Sequence, residues 1–364
     1  MKYSLDNICT FGKDKINISF LTLENYISTE NMLPNKAGVT VASTLPTVTQ
    51  TQRYVRGDVL VSNIRPYFKK IWFADKDGGC SNDVLVFKSK ENIDKRYLYY
   101  VLANDEFFNY SMATSKGTKM PRGDKISIMA YEIEEFDIET QQKIGSLLSS
   151  IDEKIALNEQ INKNLMEQAS VLYKAWFEDF ILFNGLCPPM WKQGVLADIA
   201  NITSGKRPPV KSAVKTDTAV IPIVGAASVM GYTSEANHTD KILVTGRVGT
   251  HGVVQRFESP CWTSDNTLVI TSDVYEYTYQ ILQRIDYHSM NRGSTQPLIT
   301  QGDMNKVSVL IPDQETLNEY ETLVGQLMKQ YQANILENNK LSEMRDTLLP
   351  RLMSGELDVS GIDV

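Results

Sequence analysis

Two stretches of the chain carry an apolar residue every three or four positions. In the first, Ile144, Leu148, Ile151, Ile155, Leu165, Leu172 and Trp176 are separated by three, four or sums of these; in the second, Val324, Leu327, Tyr331, Leu341, Leu348 and Leu352 are. That spacing puts the apolar groups on one side of a helix. No Gly or Pro interrupts Ser146 to Phe183 or Gln326 to Leu349. Each stretch opens with Asp, Glu and Thr, acids being favoured where the helix dipole is positive. Each predicted helix runs to about 40 residues, or about 60 Å at 1.5 Å per residue. Most globular helices are far shorter, so the two stripes are expected to pack on each other as an antiparallel coiled coil. Asn158, Asn162, Asn334 and Asn338 fall at or beside the stripes. A polar residue in such a seam costs stability and fixes register; a place on the solvated flank is the alternative.

Between the helical stretches the pattern is mixed. "DVLVSNI" (58–64), "DVLVFKS" (83–89), "KILVTG" (241–246) and "NTLVITS" (266–272) are β-branched runs bounded by turn residues and predict strands. "RYLYYVLANDEFFNYSM" (96–112) and "VYEYTYQILQRI" (274–285) predict helices with aromatic residues on one face. The expected fold is mixed α/β: two globular domains separated by two long helices.

The elements recur. "GTKMP" (117–121) and "FDIET" (136–140) reappear 176 residues later as "GSTQP" (293–297) and "PDQET" (312–316). At the same offset Leu147 meets Leu323, Asn158 meets Asn334, Asn162 meets Asn338 and Leu172 meets Leu348, with no gap from Gly117 to Phe177. Upstream, the strand runs match at an offset of 183, and "LDNICTFGK" (5–13) resembles "ADIANITSGK" (197–206). The chain therefore reads as two diverged copies of one unit. The boundaries read as 1–137 and 186–312 for the globular domains, with 138–185 and 313–364 for the helical segments.

Charge follows the same division. The net charge of −7 is concentrated in 138–181 (4 basic, 7 acidic) and 313–364 (4 and 10), while 1–137 (18 and 17) and 182–312 (11 and 10) are close to neutral. A uniformly basic nucleic-acid binder is excluded, but a basic face on a near-neutral domain is not. Cys9, Cys80, Cys187 and Cys261 form no CxxC pair, which argues against a zinc knuckle or a disulfide framework and for a reducing cytoplasm. No run approaches the roughly 18 apolar residues of a membrane span. His238, His251 and His288 lack metal-ligand spacing, and "GRVGTHG" (246–252) lacks the Lys-Ser/Thr ending of a phosphate loop. There is no Gly-x-Ser-x-Gly elbow and no Asn/Asp-Pro-Pro-aromatic base-flipping motif. "CPPMW" (187–191) reads as a linker that ends a helix. No catalytic or metal residues are expected.

The loops do carry basic and polar residues with aromatic neighbours. In the first copy these are Arg53 and Arg56 beside Tyr54, then Arg65, Tyr67, Lys69 and Lys70, and Lys116, Thr118, Lys119 and Arg122 around the Gly-x-x-x-Pro segment. In the second they are Lys206, Arg207, Lys211, Lys215, Arg247 and Arg256, with Arg292, Ser294, Thr295 and Gln296 around the matching segment. Arg and Lys neutralise phosphates, and Arg and Gln read base edges. Twelve of these are the candidate DNA-binding residues: Arg53, Arg65, Lys69, Lys116, Thr118, Lys119, Lys206, Arg207, Arg247, Arg292, Thr295 and Gln296.

With the endings "NKNLMEQASVLYKAWFEDF" (162–180) and "TLLPRLMSGELDVSGIDV" (347–364), the two-copy layout resembles the specificity (S) subunits of type I restriction-modification systems. The resemblance covers the whole chain. It implies that each globular domain is a target recognition domain for one half of a split double-stranded DNA sequence. The helix pair would set the spacer and dock two methylation (M) subunits, which restriction (R) subunits would join. S-adenosylmethionine, ATP and Mg would then belong to the partners, with no cofactor and no active site on this chain. Two other readings are a single-chain DNA-modifying enzyme with a degenerate site, and a coiled-coil scaffold with no DNA role.

Overall fold

The computed structural model describes residues 2–290 and 298–362. They form two compact units: Met1–Asn158 with Ile335–Val364, and Glu159–Asn334. Both long helices, Ile138–Tyr173 and Gln314–Met353, pass from one unit into the other. The fold is the expected mixed α/β repeat.

In the first unit a four-stranded antiparallel sheet has the order Cys9–Phe11, Val84–Ser89, Val59–Ser62, Ile71–Phe73. Two-residue periodicity sorts its side chains. Val59, Val61, Leu85 and Phe87 enter the core shared with the helices, while Leu60, Trp72, Val84 and Val86 enter a second core. A second sheet contains Lys15–Asn17, Gln50–Tyr54, Gly78–Cys80 and Tyr26–Ile27, the last two parallel. Lys2–Ser4 pairs with Glu132–Glu134. The stretch expected as one helix at 96–112 is two, Lys95–Ala103 and Asp105–Ala113. Asn104 breaks it: its backbone is extended and its side chain accepts from Glu106 N–H, capping the second helix.

The second unit repeats this plan. Its main sheet has the order Asn201–Ser204, Thr267–Thr271, Ile242–Gly246, Gln255–Phe257. Val229–Thr233, Ile221–Val224 and Trp262–Thr263 form a second sheet, again with a parallel pair. Lys192–Val195 pairs with Ser308–Ile311. One helix, Tyr275–Arg284, stands where the first unit has two.

Both long helices begin on the repeated acid. Asp137 accepts from Thr140 N–H at 2.8 Å, and Asp313 accepts from Thr316 N–H at 3.0 Å. Asp313 also accepts from the indole of Trp191 at 2.8 Å. "CPPMW" does not end a helix as expected: the α-helix stops at Tyr173, Lys174–Glu178 forms a π-turn and Ile181–Phe183 a 3₁₀ turn before it, and Trp191 is a buried anchor.

The caps of the helices that follow the main-sheet strands differ between the copies. Asp94 caps Lys95–Ala103 locally, accepting from Tyr97 N–H at 2.8 Å. Val274 stands at that place before Tyr275–Arg284 and has no capping oxygen. The second long helix supplies one instead: Glu321 accepts from the N–H groups of Glu276 (3.1 Å) and Tyr277 (2.8 Å). At the matching place, 176 residues earlier, the chain has Gly145, where a Cβ would lie 2.7 Å from the Asp94 carboxylate. Each copy therefore caps the helix once, by a different route.

Burial pushes the Glu321 carboxyl up to about 7, and the Glu276 charge adds to this against the backbone donors and Arg256. The folded state thus holds the proton more tightly than the unfolded chain. This contribution to stability is complete below the unfolded value and is lost as pH rises through about 7. Thermal melts should show the wild type losing midpoint relative to Glu321→Gln between pH 5 and pH 8; parallel profiles would contradict the burial argument.

Candidate nucleic-acid interface

In the first unit three loops come together. Lys116 and Arg122 exchange backbone hydrogen bonds (2.8 and 2.9 Å) and close the "GTKMP" loop, with Gly117 at φ 93°. Thr118, Lys119 and Met120 are exposed at its tip, and Pro121 is buried. The Pro121 carbonyl accepts from Arg65 N–H at 2.8 Å, and Ile64 bridges to Arg122. Residues 63–70 form the second loop, a single 3₁₀ turn, Pro66–Phe68, between left-handed Arg65 and Lys69. The third supplies the N–H groups of Asn35 and Lys36, which donate to the carbonyls of Phe68 (2.8 Å) and Lys69 (2.9 Å).

This surface is basic and aromatic. Lys36 and Lys69 grip Asp105 at 2.8 and 2.7 Å. Burial alone would raise the Asp105 carboxyl, but the two lysines outweigh it and hold it below its usual range. Lys116 pairs with Asp124, whose carboxyl its hydrogen bond lowers to about 2, and Arg122 reaches Asp83 at 3.1 Å. Lys70 donates to the Thr29 carbonyl at 2.6 Å and lies over the Phe68 ring. Tyr67 and Phe68 are exposed, their rings 4.6 Å apart. Among the described residues, the side chains of Arg65 and Lys119 have no hydrogen-bond or ion-pair partner.

Arg65, Lys69, Lys116, Thr118 and Lys119 are thus brought together. Arg53 is not: it sits on Gln50–Tyr54 and faces Asp77 at 3.5 Å. Its neighbour Tyr54 is wholly buried, its hydroxyl donating to the Asn25 carbonyl at 2.8 Å. Sequence reading missed Lys36 and Phe68. The turn signal in "PNKAG" (34–38) marks the first, and the second is the exposed partner of Tyr67.

The second unit builds a loop contact of the same kind. Val248 bridges to Leu298, and Arg247 receives the Ile299 N–H at 3.0 Å while its own N–H donates to Asn266. Lys206 and Arg207 are exposed beyond Asn201–Ser204, and the Lys206 carbonyl accepts from the Trp262 indole at 2.7 Å. Arg292, Thr295 and Gln296 lie outside the described residues. Arg256, grouped with the surface bases from sequence, is instead a core residue. It makes a two-pronged pair with Glu276 (2.6 and 2.7 Å) between the rings of Tyr275 and Tyr279. The Glu276 carboxylate makes its burial tolerable.

The asparagines form cross-helix pairs. In the first unit Asn158 Nδ2 donates to Asn338 Oδ1 at 2.8 Å and Asn338 Nδ2 to the Ile155 carbonyl at 3.3 Å. In the second, Asn334 Nδ2 donates to Asn162 Oδ1 at 2.9 Å and Asn162 Nδ2 to the Tyr331 carbonyl at 3.3 Å. Every atom in one set maps onto the other at the 176-residue offset. Asn158, Asn162 and Asn334 are buried in the seam. Only the surroundings differ: Asn158 also donates to Glu337 (2.7 Å), whereas Ile161 holds the place matching Glu337 and Gln330 donates to Asn334 (2.7 Å).

The sequence family described as "Type I restriction modification DNA specificity domain" matches residues 3–167 and, a second time, 188–344. The chain belongs to this family. Its function is that of a type I restriction-modification specificity subunit. The chain is 23% identical to the type I restriction enzyme HindI specificity subunit of Haemophilus influenzae, over 98% of this chain and 99% of that one. It is 25% identical to the MjaIX specificity subunit of Methanocaldococcus jannaschii, over 74% and 71%. Among solved structures, the S subunit of the type I restriction-modification system of M. genitalium shares the fold, with a TM-score of 0.62 at 18% identity, over 97% of this chain and 96% of that one.

Within this specificity-family fold, one loop glycine and one helix glycine have opposite requirements. Gly117 needs its positive φ, so Gly117→Ala should destabilise by about 1 kcal/mol. Gly325, mid-helix with open space around its Cβ position, should gain about 0.5–1 kcal/mol on change to Ala. Chemical denaturation of the two variants checks both signs.

Proposed function

We propose that this chain gives a type I restriction-modification complex its DNA target by reading a two-part duplex sequence, each unit taking one half. The observation that carries this reading is the loop contact built twice on one plan, Ile64 against Arg122 and Val248 against Leu298. In the first unit it is surrounded by Arg65, Lys69, Lys116 and Lys119, residues suited to phosphate and base-edge contact. The globular domains are taken as 1–137 and 186–312, with the helical segments 138–185 and 313–364 setting the spacer. The paired asparagines, Asn158 with Asn338 and Asn162 with Asn334, fix the register of those segments. A neutral hydrogen bond in the seam favours the alignment in which each asparagine meets its partner.

The helical segments dock two methylation subunits, and restriction subunits complete the assembly. S-adenosylmethionine, ATP and Mg act on those partners in the cytoplasm, and this chain contributes recognition without catalysis. The family membership and the acidic balance of the helical segments, which suits contact with protein rather than DNA, support this division. No helix of the described residues is long and apolar enough to cross a membrane.

Sequencing of methylated adenines in cells expressing the chain with its methylation subunits should return a split motif. Replacement of residues 1–137 by the matching domain of another family member should alter one half of that motif only; a change in both halves or in neither contradicts the reading. Lys119→Ala should weaken binding of the assembled complex about equally for all sequences and reduce the slope of log K against log salt by roughly 0.9.

A further inference from the structure

The duplication gives each loop of the first unit a counterpart built on the same scaffold. Residues 63–70 join Val59–Ser62 to Ile71–Phe73, and residues 247–254 join Ile242–Gly246 to Gln255–Phe257, with the same number of intervening residues. Two contacts and one backbone turn align the two loops residue by residue. Asn63 N–H donates to Asp83 O and Arg247 N–H to Asn266 O, each at 2.8 Å. One position later, Ile64 bridges to Arg122 and Val248 to Leu298. One position later again, both chains turn into the left-handed region: Arg65 at φ 51° and Gly249 at φ 88°.

The second copy meets that turn with the residue that suits it. Nothing lies within 4 Å of a Cβ built on Gly249, so the conformation and not crowding favours glycine there. The first copy places an arginine at the same turn, against the conformational preference of its backbone. Nor is this isolated. Of the seven non-glycine residues with positive φ among those described, four meet here: Asn35, Lys36, Arg65 and Lys69, tied by the bonds from Asn35 and Lys36 to Phe68 and Lys69. Among the described residues, no hydrogen bond or ion pair of the guanidinium offsets the strain. Arg65 Nε is shielded from solvent and has no hydrogen-bond partner, a costly state for a buried donor. A half-buried arginine on a strained turn, its Nε shielded and unpaired, beside the exposed Lys119 loop, is a donor group waiting for an acceptor that the described residues do not supply.

Resting on the reading of the first unit as a half-site reader, we infer that Arg65 is a specificity-determining residue of that unit, whose guanidinium donates to a base edge of the bound duplex. Guanine O6 and N7 accept such a fork in parallel, which makes a G·C pair its expected target. The second unit, with Gly249 at this place, reads its half-site without this contact.

The test is Arg65→Gly, which installs the residue the other copy uses, with Arg65→Lys beside it. Because glycine relieves the left-handed turn, the thermal midpoint of the Arg65→Gly chain should equal that of the wild type or exceed it by up to about 3 °C. Methylated-adenine sequencing of the full complex should then show one position of one half-site relaxed from a defined base to a mixture, with the other half-site unchanged. Arg65→Lys, which keeps the charge without the planar fork, should relax the same position. An unchanged motif in both variants, including one with uniformly weaker methylation, would overturn the inference in favour of a backbone contact. A lower midpoint for Arg65→Gly would also overturn it, by assigning Arg65 to packing. If the wild-type complex itself yields no split motif, it is the two-half reading that fails, and the domain exchange above shows that independently.

Discussion

Everything in this molecule depends on how the recognition folds are closed by the long helices. The first unit's core contains Leu5, Val59, Phe87 and Phe107 from its own sheet and helices, but also Ile144 and Leu148 from one long helix and Leu349 and Leu352 from the other. The second contains Leu243, Leu268 and Tyr277 together with Leu165, Ala169, Tyr173 and Phe177, and Leu317, Tyr320, Val324 and Met328. Each large apolar side chain so buried contributes roughly 1.5–3 kcal/mol, so neither sheet would be covered on its helical face without both segments. A loop carried on such a sheet inherits the position of the helices.

Duplication lets the molecule act as its own control. Where the two copies agree, the scaffold demands it: acid caps at Asp137 and Asp313, main sheets of the same order, and an asparagine pair with the same bonds. Disagreements are of two kinds. Some are exchanges of equal effect, as when Asp94 beside Gly145 and Val274 beside Glu321 each deliver one cap to one helix. Others have no such compensation, and Arg65 against Gly249 is of that sort. Base reading is where two copies of a reader must differ, so unbalanced differences on the loops carry more information than the balanced ones beneath them.

Much of this was legible in the residues alone. The offset of 176, the helix starts at Asp137 and Asp313 and the strand runs follow from periodicity and capping chemistry, which are local; for the asparagines, the pattern left seam and flank open, and burial in the fold decides for the seam. What escaped depends on tertiary surroundings. Arg256 has the same sequence signature as a surface base, but Glu276 and two tyrosine rings enclose it. Tyr54 lies between two arginines in sequence yet faces inward, since residues alternate across a strand. The break at Asn104 was visible in principle, because Asn followed by Asp is a helix start, but the aromatic run on either side hid it. Left-handed backbone at Arg65 and Lys69 has no sequence signal, since neither residue type favours it.

The first unit is assembled from the two ends of the described chain, while the second is one continuous stretch, Glu159–Asn334. A ribosome delivers residues in order, and this has a consequence for maturation. The second reader has all of its core once residue 334 has emerged. The first, although begun earliest, must wait for Leu349, Leu352 and Val359. The usual sequence, in which the domain nearest the start of the chain finishes folding first, is therefore reversed. A nascent chain halted before those last residues would hold a finished second reader and an open first one, with the apolar face of Ile144 and Leu148 still uncovered.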